Sequence, residues 1–310
     1  MKAKKVKIPV KKRKPTLEDV LIGFFTYTIY SFFAFVCVYP FYYIFINTIS
    51  ANNLSERGKI LFWPKGIHFE NYAKVFQIPD LFQSLQVSLA RTIIGTVVTV
   101  FIAAFLGFMF TKDTMWKKAL WYRLVVATMY FHAGIIPWYI TMGNLGLHNN
   151  FWAYVLPTAV APFFIILCKT FIESVPKELS DAAEIDGAGI FSMFFRIILP
   201  VIKPIIATIT VFSAVNQWNS FQDTLLLMTD RKLYTLQFML HQYLNQAGSL
   251  RAFINSTASS AAIMANLAKA QTATSIRMTV TIVVVAPILL VYPFFQRYFT
   301  KGIMLGAVKG

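Results

Sequence analysis

Four carboxylates crowd into one short stretch of this sequence, at Glu178, Asp181, Glu184 and Asp186, between two long apolar runs. Lys177 stands four residues before Asp181, and Gly187 closes the acidic stretch. Helical spacing puts Lys177, Asp181 and Glu184 on one polar stripe, a surface suited to polar docking contacts. Other residues with chemistry to offer are sparse. The histidines, His68, His132, His148 and His241, are scattered and form no H-E-x-x-H pair. No G-x-x-x-x-G-K-[ST] loop is present to cradle nucleotide phosphates. Asp223 is the carboxylate nearest the interior of an apolar run, and the runs supply almost no nucleophile or acid to accompany it. Catalysis is not expected of such a chain. If it moves a solute uphill, the energy must come from another polypeptide.

The elements that position these residues follow from composition. The chain has 310 residues, 57% hydrophobic and only 14% charged, against about 25% charged in soluble proteins. Uncharged runs cover 20–55, 92–111, 124–168, 204–222 and 278–296. A membrane helix needs about 20 predominantly apolar residues, and a charge at its centre costs roughly 2.5–3.5 kcal/mol. The run 124–168 holds two spans, because "GNLGLHNN" at 143–150 is a polar turn cluster. The expectation is an all-α membrane protein with six helices, near 20–47, 84–111, 119–142, 152–173, 205–228 and 279–299.

Lys and Arg orient the spans. Eight of them lie in "MKAKKVKIPVKKRK", which places the tail 1–19 inside the cell. Six spans return the tail 301–310 to the cytoplasm. The inner segments 1–19, 112–118, 174–204 and 297–310 hold 17 Lys and Arg in 71 residues, and the outer segments 50–83 and 229–277 hold 9 in 83. The bias supports that orientation. It also explains the net charge of +16 through flanks facing anionic lipid, without nucleic acid. The first apolar run is about twice as long as a signal-peptide core and reads as an uncleaved span. Cys37 and Cys168 both fall in spans, so neither a disulfide nor a cysteine metal site is expected.

The charged island is a helix-turn-helix. Pro176 suits a first helical turn, Leu179, Ala182 and Ala183 make a narrow small-residue face, and Gly187 fits the left-handed position that ends a helix. A second helix follows, with Ile190, Phe191, Phe194, Ile197 and Ile198 on its apolar side, until Pro200 and Pro204 kink or break the chain. The first helix could lie on the inner leaflet or dock in a partner's groove. Alanines partition poorly into lipid and the acidic stripe is repelled by anionic head groups, which favours docking.

Asp181-Ala182-Ala183, Gly187 and Ile197-Ile198-Leu199-Pro200 together resemble the signature of binding-protein-dependent ABC importer permeases, with both spacings intact and Asp181 where the family usually has Glu. "WNSFQDTLLLM", "LYTLQFML" and "YPFFQRYFTKGIMLGAVKG" are similar to the maltose-type carbohydrate branch, in its oligosaccharide subgroup. The similarity runs from about residue 15 to the C-terminus. It implies the type I importer permease fold in a bacterial cytoplasmic membrane, and transport rather than enzymatic activity. The implied partners are a second, different permease, a dimer of ATPase subunits that binds ATP and Mg, and an extracytoplasmic sugar-binding protein. The loop 175–204 becomes the coupling loop, with Asp181, Ala182, Ala183, Glu184, Gly187, Leu199 and Pro200 as the ATPase-coupling residues. In the outer loop 229–277, Ser256, Thr257, Ser259 and Ser260 fall where the family has a scoop that dips into the binding protein. Asn216, Gln217, Trp218, Asn219 and Gln222 are solute-path candidates, since amides bond sugar hydroxyls as donor and acceptor and an indole packs on a pyranose face. They equally suit helix–helix contacts. An importer of the same fold for a non-sugar solute, or a self-sufficient secondary transporter, is the alternative; the latter would call for intramembrane carboxylates and paired broken helices.

Overall fold

A computed structural model describes residues 16–245 and 273–307, and among them the fold is all-helical. The first helix, α1 (Leu17–Thr48), opens on a capping box in which Thr16 Oγ1 accepts from the Asp19 N–H and the Asp19 carboxylate accepts from the Thr16 N–H. Two orphan amides are satisfied at once, and the acid faces the positive end of the helix. The short helices α2 (Asn52–Glu56) and α3 (Glu70–Phe76) follow, then the long α4 (Leu81–Met109). Next come α5 (Lys118–Ala127), α6 (Ile135–Asn144), 3-10 turns at Phe151–Tyr154 and Leu156–Thr158, and α7 (Pro162–Glu173). The charged island supplies α8 (Glu178–Ile185) and α9 (Ile190–Val201). It leads into α10 (Lys203–Asn219) and α11 (Gln222–Leu227). A helix α12 occupies 236–245, and α13 is Ala273–Ala307.

Among the described residues, three helices are long and apolar enough to cross a membrane: Leu17–Thr48, Leu81–Met109 and Thr274–Val291. Two bent pairs pass the same test together, Phe151–Thr158 with Pro162–Glu173 at 46° and Ile190–Val201 with Lys203–Asn219 at 83°. By length and composition these overlap the expected first, second, fourth, fifth and sixth runs. The last pair, however, starts at Ile190 in the charged island and ends at Asn219, where 205–228 was expected, and the final helix passes the test only to Val291. The stretch expected to be the third span, 119–142, is two ten-residue helices separated at 128–134. Gly134 at φ 89° turns the chain, and Pro137 lacks the N–H that would continue a helix arriving from Ala133. Among the described residues the N–H groups of 131–134 make no hydrogen bond. His132 is exposed in this break.

α4 is the axis of the fold, packed along both α7 and α10, with α13 against α10 and α1. One core cluster joins Ala103, Ala104 and Phe108 to Ile165, Cys168, Ala183, Phe194 and Ile198. Another joins Leu81, Trp218, Leu236, Val280 and Val284. Close approach of α4 to α7 depends on Gly107, where an added Cβ would meet Cys168 Cβ at 2.7 Å and the Lys169 backbone N at 3.0 Å. Backbone cannot swing aside. Gly107→Leu should therefore cost about 1–3 kcal/mol, read as a lower midpoint of thermal aggregation in detergent. Gly23→Ala, where nothing lies within 4 Å of the new methyl, should hold or raise that midpoint. Equal behaviour of the two variants would show that the α4–α7 seam is looser than this contact requires.

Candidate functional site: the charged loop and a buried arginine

α8 ends as its sequence demands. Gly187 has φ 73°, its N–H donates to Glu184 O at 3.0 Å, and the Ala188 N–H reaches back to Ala183 O at 2.9 Å. That pair of bonds is the Schellman cap, and a side chain at residue 187 would be strained. Glu178 and Asp181 sit in the first turn, where carboxylates favour the helix dipole. The small-residue face does not act as one surface. Ala183 is buried in the chain's own core, whereas Leu179, Asp181 and Ala182 are exposed. Ile185, which the periodicity did not single out, is 87% exposed. Asp181 makes no side-chain bond among the described residues. Glu184 accepts from Lys112 Nζ at 2.7 Å.

α9 contains a widened π turn at Phe194–Ile198. It stands just before Pro200, whose ring would clash with the Arg196 carbonyl in a regular α turn. Leu199 is half-buried against the core and Pro200 is exposed. The 83° bend falls at Ile202, between the two prolines expected to break the chain.

The solute-path candidates divide. Asn216, Asn219 and Gln222 are exposed, while Gln217 and Trp218 are buried. Trp218 Nε1 donates to Val284 O at 3.1 Å, tying α10 to α13. Gln217 Nε2 donates to Thr158 Oγ1 at 2.7 Å, and Gln217 Oε1 accepts from Arg91 Nε at 3.0 Å. Arg91 is the residue sequence reasoning missed. It is 1% exposed on α4, forms a two-pronged ion pair with Asp223, donates to Ser220 O at 3.2 Å and lies 4.6 Å from the Tyr154 ring centroid. Tyr154 in turn donates to Leu233 O at 2.6 Å. One guanidinium thereby fastens α4, the 3-10 turns, α10 and α11. The signal was available: an Arg and an Asp inside neighbouring apolar spans are expected to pair.

Beside this hub lies a cavity of about 360 Å³, with Arg91, Thr99, Thr158, Ser213, Asn216 and Gln217 on its wall. Its polar lining is hydroxyl and amide. The one charge, on Arg91, is already balanced by Asp223.

An all-helical chain whose long apolar helices pack around a cavity edged by hydroxyls and amides has the architecture of a multi-pass membrane protein. The comparisons place it further. No protein-family model matches the chain. It is 33% identical over 298 residues to the polygalacturonan/rhamnogalacturonan transport system permease protein YtcP of Bacillus subtilis, covering 96% of this chain and 100% of that one. It is 34% identical to protein LplC of the same organism, over 89% of this chain and 90% of that one. It is 26% identical to the arabinooligosaccharides transport system permease protein AraQ of Halalkalibacterium halodurans, over 97% and 99%. Among solved structures, a bacterial ABC transporter involved in the import of the acidic polysaccharide alginate matches with a TM-score of 0.78 at 24% identity, over 93% of this chain and 99% of that one. The chain belongs to the ABC transporter permeases of sugar and oligosaccharide transport systems.

Proposed function

We propose that this chain is one of two different membrane-spanning subunits of an ATP-driven, binding-protein-dependent oligosaccharide importer in a bacterial cytoplasmic membrane. The observation that carries this is α8, a capped helix whose outward side presents Leu179, Asp181, Ala182 and Ile185 exposed among the described residues. An exposed apolar and acidic face at the cytoplasmic end of a permease suits docking in a partner's groove. The partner there is the ATPase pair, which holds ATP and Mg, and α8 with α9 conveys its closure to the spans. On the six-span reading, with both termini inside as the Lys and Arg bias supports, α8 lies on the cytoplasmic side.

The broken third span belongs to the solute path. Backbone with open polar groups is tolerated at membrane depth only where it lines water or is covered by protein. Residues 131–134 meet that condition in a pathway shared with the second permease. The hydroxyls and amides lining the cavity beside Asn216, with Arg91 already paired to Asp223, suit sugar hydroxyls, and the relatives' names favour an oligosaccharide. Asn216, Asn219 and Gln222 are the side chains free to meet it, while Gln217 and Trp218 hold the wall. Ser256, Thr257, Ser259 and Ser260, in the segment assigned to the binding-protein scoop, lie outside the described residues.

The test is recovery of the chain from its native membrane with identification of what accompanies it. A second six-span permease and an ATPase are expected in the same complex. Recovery alone, or as a homo-oligomer, would overturn the assignment.

A further inference from the structure

Glu184 sits in the middle of the docking motif, yet its carboxylate turns inward. It accepts from Lys112 Nζ at 2.7 Å, and the Lys112 side chain is only 13% exposed while that of Glu184 is 56% exposed. Lys112 lies in the turn that closes α4, its N–H donating to Met109 O at 3.1 Å, and its ammonium lies 5.5 Å from the Phe108 ring centroid. The other ion pairs of this region have their own partners, Lys118 with Asp113 and Lys169 with Glu173. α9 is held to the same part of α4 by rings. Phe105 stacks on Phe191 at 5.8 Å and meets Phe194 edge-on at 5.2 Å, Phe108 lies 5.6 Å from Phe194, and Phe101 stacks with Phe195 at 6.3 Å.

α9 is thus fastened to the inner end of α4 by aromatic packing, and α8 is fastened by charge to the turn that follows that end. α4 is also the helix whose outer half carries Arg91. We propose that Lys112 is a positioning residue: through Glu184 it fixes α8 to the turn that closes α4, so that a push on α8 moves α4 instead of tilting a loose loop. Glu184 is then an internal strut and not an ATPase contact. The idea rests on the reading of α8 as the docking helix for its use in transport, but the strut itself is a property of this chain alone.

The chain alone supplies the first test. In lipid nanodiscs, amide hydrogen exchange of residues 178–188 is followed for wild type, Lys112→Gln, Glu184→Gln, the double variant and the exchange Lys112→Glu with Glu184→Lys. Each single variant should speed exchange about threefold, the scale of one partly exposed ion pair. The double variant should add nothing further, and the charge exchange should return the rate toward wild type. Unchanged exchange in Lys112→Gln, or single effects that add in the double variant, would overturn the strut. In the assembled importer, both single variants should keep the ATPase bound while moving fewer sugars per ATP hydrolysed. Loss of the ATPase in Glu184→Gln but not in Lys112→Gln would assign Glu184 to the partner and overturn the proposal. No ATPase contact is needed for the exchange experiment, so its failure is distinct from failure of the docking assignment.

Discussion

Asp223→Ala should leave too little folded protein to purify. Arg91 is 1% exposed, and the carboxylate removed is the only one bound to it among the described residues. Stripping one partner from a buried ion pair costs about 3–5 kcal/mol, because the remaining charge has neither water nor counter-charge. Gln217 and the Ser220 carbonyl would still accept from the guanidinium, but neutral acceptors do not replace an anion. Total stability of a folded protein is about 5–15 kcal/mol, so the loss is a large part of it. Arg91→Met should fail comparably, since Asp223 would keep only Ser220 Oγ and the Thr224 N–H. The combination of Arg91→Met with Asp223→Leu separates the pair from mere crowding. Removing both charges leaves no unpaired ion, and such replacements are often neutral. The double variant should therefore regain most of the monodisperse peak on size exclusion in detergent. Single variants as stable as wild type would show that the four elements around Arg91 are held by packing alone.

That hub also marks the limit of what one sequence discloses. The apolar runs announced the helices Leu17–Thr48 and Leu81–Met109 and the bent stretch Phe151–Glu173 to within a few residues, because a long uncharged run has few uses other than crossing lipid. The run expected at 205–228 is instead a helix ending at Asn219, since Ser220 leaves helical geometry. Gly187 was equally legible, since an acidic helix followed by a glycine calls for the left-handed cap found there. The break at 128–134 was not read, although Gly134 and Pro137 were in view. Hydropathy counts side chains and is blind to whether the backbone between them is helical. Gln217 and Trp218 were grouped with Asn216 and Asn219 as neighbours in sequence, yet successive residues on a helix point about 100° apart. Which of them faces the cavity depends on where α4 and α13 lie. The face of α8 failed for a related reason. Leu179, Ala182 and Ala183 share a stripe on an isolated helix, but this helix is pressed on one side by its own core, which takes Ala183 and leaves the others outside. Pairing of Arg91 with Asp223 joins residues 132 positions apart and is a property of the packed spans.

The exposed side of α8 leads to the second large effect, at Ile185. A β-branched apolar side chain that is 87% exposed at the end of a helix adds no core packing among the described residues. Its burial in a groove would contribute about 1.5–3 kcal/mol, equivalent to roughly 10- to 100-fold in affinity. On the proposed docking, Ile185→Asp removes that contact and puts a charge in its place. Binding of the ATPase subunits to permease complex in nanodiscs should weaken at least tenfold, on the same free-energy scale. The thermal midpoint of the chain should not move, because Ile185 is exposed among the described residues and its loss takes no core packing with it. Gly187→Val predicts the opposite division. A β-branched residue forced to φ near 70° strains the cap, so both the midpoint and the affinity should fall. These two substitutions, two residues apart, distinguish contact from shape. Wild-type affinity in Ile185→Asp would mean that α8 is not seated in the ATPase. The exposed face of the helix would then have to be covered by something else in the membrane assembly.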